Sequence, residues 1–483
     1  MMLEIKEKYL NNGLKIVMCK KQGMPVIIVN SAFHAGSKND PPDKTGLSHF
    51  IEHLMFTGTA NISGGDFDGI LSANGGESNA FTANDYTSYY LTLPSSGLEL
   101  GLWLDSDKFT GFTADEESLR IQKEVVLEEK LQVHDNSPYG TVEEESSKRL
   151  FPSNGYRWNI VGSAGHINSF THEDVNKYYH EFYKPSNAIL TIAGDIDYDV
   201  TEKLIIKYYD DIPGRSGDVS GNGSGDVSGN GSGDVSGNGS GDVSGDGSGD
   251  VSGDGSGDVS GDVSGDGSGD TGGKKLLRNA GEKKRNNPDT HFIEAGEEVI
   301  FDNISLPARF IFYRIPESGS KEYYALKVLS SVLSAGESSR LQRRLIHDRN
   351  YANEIYSYVS GMELGSFLSI SCFCNEDTAT EEAGKEIDNI IDDILNGGLK
   401  DTEIEKAKNK IKTNYIIKLQ SILQAADKLT YFGLIRGRAS LVNEEIEKYD
   451  AINKSDILNT AKEYLKKNNR VVLNYLPAKV KEQ

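Results

Sequence analysis

Short apolar runs predict strands in a similar order in the two halves of the chain. β-Branched and aromatic residues dominate these runs, as they do in half-buried strands. The runs in the first half are residues 13–20, 24–33, 88–94 and 187–197. Those in the second half are residues 297–304, 308–316, 365–375 and 469–477. The two halves therefore follow one plan.

Apolar residues spaced three and four positions apart predict helices between these strands. The helical segments are the stretch between Gly46 and Gly58 and residues 115–132, 321–335, 381–395 and 401–425. Strands joined by both hairpins and helices favour a sheet that is largely antiparallel and carries helices on one face. We therefore predict an α+β fold of two homologous domains, each a largely antiparallel sheet covered by helices.

A tandem repeat separates the two halves. From Ser216 to Asp270 an eight-residue unit changes from SGDVSGNG to SGDVSGDG, and the segment holds eleven of the chain's Asp residues and no Lys or Arg. Gly and Ser at most positions cannot bury enough apolar surface to offset the entropy of ordering the backbone. A calcium-binding roll is the alternative, but such repeats have a period of nine and a large aliphatic residue that is missing here.

The repeat divides the chain into three predicted regions. Residues 1–213 form a first domain, residues 214–285 a disordered linker and residues 286–483 a second domain. Half of the net charge of −22 lies in the repeat.

Composition excludes several classes of protein. The excess of 73 acidic over 51 basic residues leaves no basic stripe for nucleic acid. No apolar run reaches the roughly 18–20 residues that cross a bilayer, and the first residues do not resemble a targeting segment. Three cysteines cannot form a disulfide framework, and Cys372 and Cys374 are expected to be packing residues. We expect a cytoplasmic protein, or a mature chain whose targeting segment is not included, with no membrane or nucleic-acid partner.

The segment TGLSHFIEHLMFTGT carries the candidate chemistry. One face of its predicted helix is an apolar stripe of Leu47, Phe50, Ile51, Leu54 and Met55. His49, Glu52 and His53 lie on the other side, with the two imidazoles one turn apart. Ser48 or Thr45 is expected to cap the start of the helix.

Two imidazoles one turn apart suit a metal ion. Zinc in a hydrolytic site takes three protein ligands and keeps one open position, and a neighbouring carboxylate takes a proton from water. Glu52 is placed for that role rather than for ligation. The alternative is a solvated helix face that carries two histidines, and the five residues HFIEH do not decide between them.

The segment resembles the inverted zinc motif, HxxEH, of the pitrilysin and mitochondrial processing peptidase family of metallopeptidases. Other segments are similar to that family as well, and they lie in both halves and omit only the repeat. They are GGESNAFTANDYTSYYLTLP, IQKEVVLEEKL, the stretch from Tyr156 to Asp197, and LSAGESSRLQRRL. The resemblance implies a zinc endopeptidase with one zinc ion per chain, in which Glu52 is the general base and each chain is half of a clamshell.

The resemblance also implies a third ligand for His49 and His53. The family places a Glu some 76 residues after the second histidine, which is Glu129, with Glu124 and Glu128 as rivals. On a helix Glu129 shares a face with Val125, Val126 and Val133, an apolar setting in which a carboxylate needs a cation. Gln122 stands where many members carry a Glu that orients a ligand.

Substrate binding is expected at a sheet edge. In the family an extended peptide adds to an edge strand near the zinc, and Asn79, Ala80 and Phe81 match those positions. His34 is interpreted as a plain polar residue. The string HFIEAGEE at His291 echoes the motif but lacks the second histidine, and we assign it no metal role.

The second half departs from the family pattern. Many relatives carry an Arg and, seven residues later, a Tyr that bind the substrate and the tetrahedral intermediate. The aligned positions here are Ile346 and Asn353, whereas Arg344 and Tyr351 keep the spacing two places early. The resemblance therefore implies a partner subunit that carries the Arg/Tyr pair, or a homodimer. A non-catalytic core or assembly subunit is the alternative function.

Overall fold

The computed structural model describes residues 2–59, 61–62, 65–111, 115–213 and 293–478. The predicted linker at 214–285 and His291 lie outside the described residues. The predicted domain boundaries stay predictions.

The first half forms a six-stranded sheet in the order β1-β2-β6-β3-β5-β4. Its strands are β1 Ile5–Tyr9, β2 Lys15–Lys20, β3 Val26–Phe33, β4 Glu77–Thr82, β5 Thr87–Pro94 and β6 Ala188–Gly194. Its helices are α1 Leu47–Leu54, α2 Asp66–Ala73, α3 Leu98–Ser106, α4 Glu116–Lys130, α5 Val142–Leu150, α6 Ala164–Ser169, α7 His172–Phe182 and α8 Tyr198–Tyr209. All neighbouring strands are antiparallel except β2 and β6.

The second half forms a five-stranded sheet in the order β7-β11-β8-β10-β9, in which β7 and β11 are the parallel pair. Its strands are β7 Gly296–Asp302, β8 Ala308–Ile315, β9 Ala352–Ser360, β10 Ser366–Cys374 and β11 Arg470–Pro477. Its helices are α9 Lys321–Ser334, α10 Thr380–Asp393, α11 Asp401–Gln420, α12 Ile422–Leu434, α13 Glu445–Asp450 and α14 Lys454–Tyr464. Within the described ranges, no helix has both the length and the apolar content to span a bilayer.

These two sheets with their helices confirm the predicted α+β fold. The helix predicted at 401–425 is wrong in one respect, because Ser421 has an extended backbone and separates α11 from α12. The Ser421 hydroxyl accepts a hydrogen bond from the Gln424 amide, so this residue starts a new helix. Cys372 and Cys374 are free and buried in β10.

Each sheet has one face covered by helices of its own half and the opposite face covered by a helix of the other half. Helix α12 packs on β2, β3 and β6, where Leu429 and Phe432 join a buried cluster with Val17 and Ile28. Helix α5 packs on β8 and β11. There Leu150 and the residues that follow it share a cluster with the aromatic side chains of the second sheet. We call this arrangement the helix exchange, and it buries apolar surface that neither half covers with its own helices.

A polar contact also joins the two halves. The Glu363 carboxylate of the second half binds His34 Nε2 at 2.7 Å and the ammonium of Lys38. Lys38 also donates to Asp85 Oδ1 at 2.9 Å, and the Glu363 amide donates to Asp85 Oδ2 at 3.0 Å. Burial raises the pKa of Glu363, but the hydrogen bonds from His34 and Lys38 outweigh it and hold this pKa at about 2.

Replacing Glu363 with Gln should lower the free energy of unfolding at neutral pH. The folded pKa lies below the usual value of 4.5, so the carboxylate stabilises the fold above about pH 4.5 and loses this effect as the pH falls towards about 2. The difference between wild type and Glu363→Gln should therefore shrink from pH 4.5 to pH 3. Denaturant unfolding at pH 7, 4.5 and 3 measures it.

The exposed residue Glu376 supplies the matched control, because it has no ion pair in the described part of the chain. Glu376→Gln should leave the stability nearly unchanged at every pH. A constant difference between wild type and Glu363→Gln across the pH range would contradict the assignment.

Candidate metal centre

Helix α1 begins at a left-handed glycine whose preceding loop supplies the cap. Gly46 has φ 90°, and an added Cβ would lie 2.1 Å from the Val161 carbonyl oxygen. The buried Asp40 carboxylate accepts hydrogen bonds from the amides of Gly46 at 2.7 Å and Ser48 at 2.8 Å. The predicted caps, Ser48 and Thr45, are wrong, because the Thr45 hydroxyl instead contacts His166 Nδ1 at 2.8 Å.

The apolar face of α1 is buried, as its sequence pattern predicts. All five residues of the stripe, Leu47, Phe50, Ile51, Leu54 and Met55, are at most 3% exposed. Because one face is held in the core, the opposite face has a fixed direction. His49 and Glu52 are nearly buried on that face, and His53 is half-buried.

Helix α4 brings Glu129 to the two histidines. The helix is capped by Asp115, which accepts a hydrogen bond from the Ser118 amide at 2.8 Å. Glu129 Oε2 lies 3.2 Å from His53 Nε2, and Glu129 Oε1 lies 3.8 Å from His49 Nε2. The apolar setting expected for Glu129 is only partly correct. Val126 is buried, but Val125 and Val133 are 45% and 55% exposed.

The rival acids do not join this group. Glu124 is exposed and paired with Arg120 at 2.7 Å, and Glu128 accepts a hydrogen bond from Gln132 at 2.7 Å. Gln122 is half-buried, and its side chain makes no hydrogen bond within the part of the chain that the structure describes. Its expected role in orienting a ligand stays a prediction.

The donor set of His49, His53 and Glu129 fits a metal ion. One donor atom from each residue lies within 4.8 Å of the others. The two Nε2 atoms are 3.4 Å apart. Zinc–nitrogen distances of roughly 2.0–2.1 Å would place two ligands of a tetrahedral site about 3.3 Å apart. Burial lowers the pKa of His49 to about 4, and the proximity of His53 adds to this effect. The neutral imidazole that binds metals is therefore the stable form.

Glu52 lies beside the three donors and is held by a residue that the sequence analysis did not single out. The Thr82 hydroxyl donates to Glu52 Oε2 at 2.5 Å. Burial raises the pKa of Glu52, and the hydrogen bond from Thr82 acts against this. Thr82 ends β4, in the segment NAFT. This family-like segment therefore includes the residue that holds Glu52, although the sequence analysis predicts a role only for the first three residues of NAFT.

The residues expected to bind substrate lie on β4, which is the edge strand of the first sheet. Asn79, Ala80 and Phe81 pair with β5 on one side only. Asn79 is exposed and Ala80 and Phe81 are half-buried. The location agrees with an edge strand near α1, whereas the binding role stays a prediction.

The guanidinium of Arg344 in the second half is already in an ion pair. Its guanidinium donates to Glu386 Oε2 at 2.7 Å within the same half. Ile346 packs against the second core, Asn353 is exposed at the start of β9, and Tyr351 lies just before that strand. His34, expected to be a plain polar residue, contacts Glu363 and not the three donors.

A two-domain α+β chain with an HxxEH helix and a third carboxylate on a later helix has the architecture of the inverted-motif metallopeptidases. The chain belongs to peptidase family M16. The model of "Insulinase (Peptidase family M16)" matches residues 16–163, and that of "Peptidase M16 inactive domain" matches residues 169–252 and 255–411. The resemblance seen in the sequence is thereby confirmed.

Several relatives match nearly the whole chain. Zinc protease PqqE of Helicobacter pylori is 24% identical over 464 residues, which are 95% of this chain and 89% of the relative. The uncharacterized zinc protease YmxG of Bacillus subtilis is 22% identical over 449 residues, 93% of each chain.

Solved structures show the same fold. A protease from Helicobacter pylori superimposes with a TM-score of 0.79 at 22% identity, over 99% of this chain and all of that one. A peptidase M16 inactive domain from Pseudomonas fluorescens gives a TM-score of 0.76 at 14% identity, over 99% and 98% of the two chains.

Replacing Glu129 with Gln should weaken the binding of Zn²⁺ by more than the roughly 10–100-fold that loss of an outer hydrogen-bond partner costs. The reason is that a neutral amide replaces a charged donor. Competition with a chromophoric chelator measures the affinity. Glu128→Gln makes the same change one residue away and should leave the affinity unchanged. Equal effects of the two substitutions would show that Glu129 is not a ligand.

Proposed function

We propose that the protein is a zinc-dependent endopeptidase that hydrolyses peptides or short unfolded segments. The observation that carries the proposal is the convergence of His49, His53 and Glu129 with Glu52 beside them. The names of the relatives as zinc proteases support it. One zinc ion per chain would be held by the two Nε2 atoms and the Glu129 carboxylate.

Zinc, when bound, supplies a Lewis acid that polarises a peptide carbonyl and makes water more acidic. The role of Glu52 follows from its hydrogen bonds. Thr82 occupies Oε2, which leaves Oε1 to accept the proton of an attacking water molecule and later to give it to the leaving amine. Burial raises the pKa of this carboxyl, which makes it a better proton acceptor than an exposed glutamate.

The edge strand β4 determines the form of substrate that we propose. An extended peptide can continue the sheet beyond β4, where its main chain finds unpaired amide and carbonyl groups. A folded domain cannot present such a strand without unfolding locally. Short peptides and unfolded segments are therefore the substrates that the edge would accept, with Asn79, Ala80 and Phe81 in contact with them.

Replacing Glu52 with Gln should abolish peptide cleavage, because an amide cannot accept the proton, while Zn²⁺ binding persists. Thr82→Val should lower kcat by about 10–100-fold, whereas Thr82→Ser, which keeps the hydroxyl, should retain most of it. A quenched-peptide assay gives kcat and KM, and metal analysis of the same samples gives the zinc content. Cleavage by Glu52→Gln at the wild-type rate, or wild-type protein that binds no zinc, would end the peptidase proposal.

We also propose that a second subunit completes the site. Hydrolysis of a peptide bond develops negative charge on the carbonyl oxygen, and groups aimed at that oxygen contribute much of the catalysis. Arg344 is committed to Glu386, and Ile346 and Asn353 occupy the aligned positions of the Arg/Tyr pair. A partner that carries the pair, or a second copy of this chain, would supply the missing groups.

The subunit proposal predicts that activity depends on association. The chain should have little activity when sedimentation shows a monomer, and activity should rise with chain concentration for a homodimer. For a heterodimer, it should rise on addition of a homologous chain that carries the Arg/Tyr pair. A fully active monomer would refute the proposal. A zinc-loaded chain that stays inactive in every assembly would instead indicate the non-catalytic subunit.

A further inference from the structure

A cavity of about 420 Å³ lies among the helices of the second half. Helices α9, α11, α12 and α13 form its walls, and Tyr86 of the first half contributes to one side. None of the three metal donors, Glu52 or the β4 residues lines it. The proposed peptidase site therefore does not account for this cavity.

Three lysines from three different helices line the cavity. They are Lys327 of α9, Lys418 of α11 and Lys428 of α12. Within the part of the chain that the structure describes, none of their ammonium groups has an ion pair within 4.0 Å or a hydrogen bond. Lys327 has instead a cation–π contact, with its Nζ 5.2 Å from the ring centre of Tyr323.

The carboxylates of the cavity neutralise these lysines only in part. Glu445 accepts hydrogen bonds from Tyr324 at 2.6 Å and Tyr449 at 3.4 Å, and it keeps its negative charge because both donors are neutral. Asp427 is the other carboxylate, so three ammonium groups face two carboxylates and the cavity keeps an excess of one positive charge. Burial lowers the pKa of Lys327 and Lys428, and the charges of Glu445 and Asp427 offset this effect only in part.

The remaining walls are mostly aromatic. Tyr86 and Tyr431 lie with their ring centres 6.3 Å apart, and Phe432 follows on the same helix. The hydroxyls of Tyr86 and Tyr323 have no hydrogen-bond partner in the described ranges. Gly361 leaves room for the Tyr323 ring, because a Cβ at position 361 would lie 2.5 Å from the Tyr323 hydroxyl oxygen.

We propose that this cavity, the lysine cavity, binds a small molecule that carries a carboxylate or phosphate group on an aromatic body. The ammonium groups of Lys327 and Lys428 bind the oxyanion, and Lys418 adds charge at the exposed rim. The tyrosine hydroxyls donate further hydrogen bonds, and the aromatic walls enclose the body of the ligand. Attraction between an oxyanion and desolvated ammonium groups is stronger than at an exposed surface.

Isothermal titration of the full-length chain with phenyl phosphate, 3-phenylpropionate and inorganic phosphate tests the proposal. We expect one site per chain for at least one of the two aromatic probes, with inorganic phosphate at least tenfold weaker. The double substitution Lys327→Met with Lys428→Met should weaken the aromatic probe by at least tenfold. Tighter binding of phenyl phosphate would indicate a phosphate site, and tighter binding of 3-phenylpropionate would indicate a carboxylate site.

Lys385→Met is the matched control, because Lys385 is an exposed lysine on α10 outside the cavity. It should bind the probes as wild type does. Thermal unfolding checks that the double variant folds, and the pair Lys327→Gln and Lys428→Gln replaces it if it does not. Failure of both aromatic probes to bind at millimolar concentration, or equal binding by the double variant, would overturn the proposal. Inorganic phosphate that binds as tightly as phenyl phosphate would refute the aromatic part.

Discussion

Burial of the apolar stripe of α1 is the constraint on which the candidate site depends. A helix has only one way to place that stripe in the core, and this choice orients every residue of its opposite face. His49, Glu52 and His53 therefore point in a fixed direction before any metal ion is present. The Asp40 carboxylate adds to this by holding the first amides of the helix. The precision of the site comes from the core behind it.

Local periodicity was sufficient to predict what one helix or strand decides by itself. The stripe of α1, the face that carries the histidines and most of the strands depend on side chains within a few residues of one another. The common order of strands was enough to predict two related α+β halves. Choosing Glu129 over Glu124 and Glu128 required the spacing known from the family, because the three acids are alike in local sequence.

The remaining features depend on contacts between distant segments. The cap of α1 comes from Asp40, which lies outside the helix, and the hydrogen bond to Glu52 comes from Thr82 on a strand. The exposure of Val125 and Val133 shows that a helical pattern identifies a shared face but not what covers it. Arg344 keeps the spacing known from the family, and only the fold shows that its guanidinium forms an ion pair with Glu386.

The helix exchange also affects how the protein unfolds and how it responds to cleavage of its backbone. Because α12 covers the first sheet and α5 covers the second, each half alone would leave a broad apolar face in water. The halves belong to one compact unit despite the 75 or so residues between them, and we expect them to unfold together. Cleavage of the chain between the halves would leave two fragments that hold each other by mutual burial, so an intact backbone is not what keeps the molecule together.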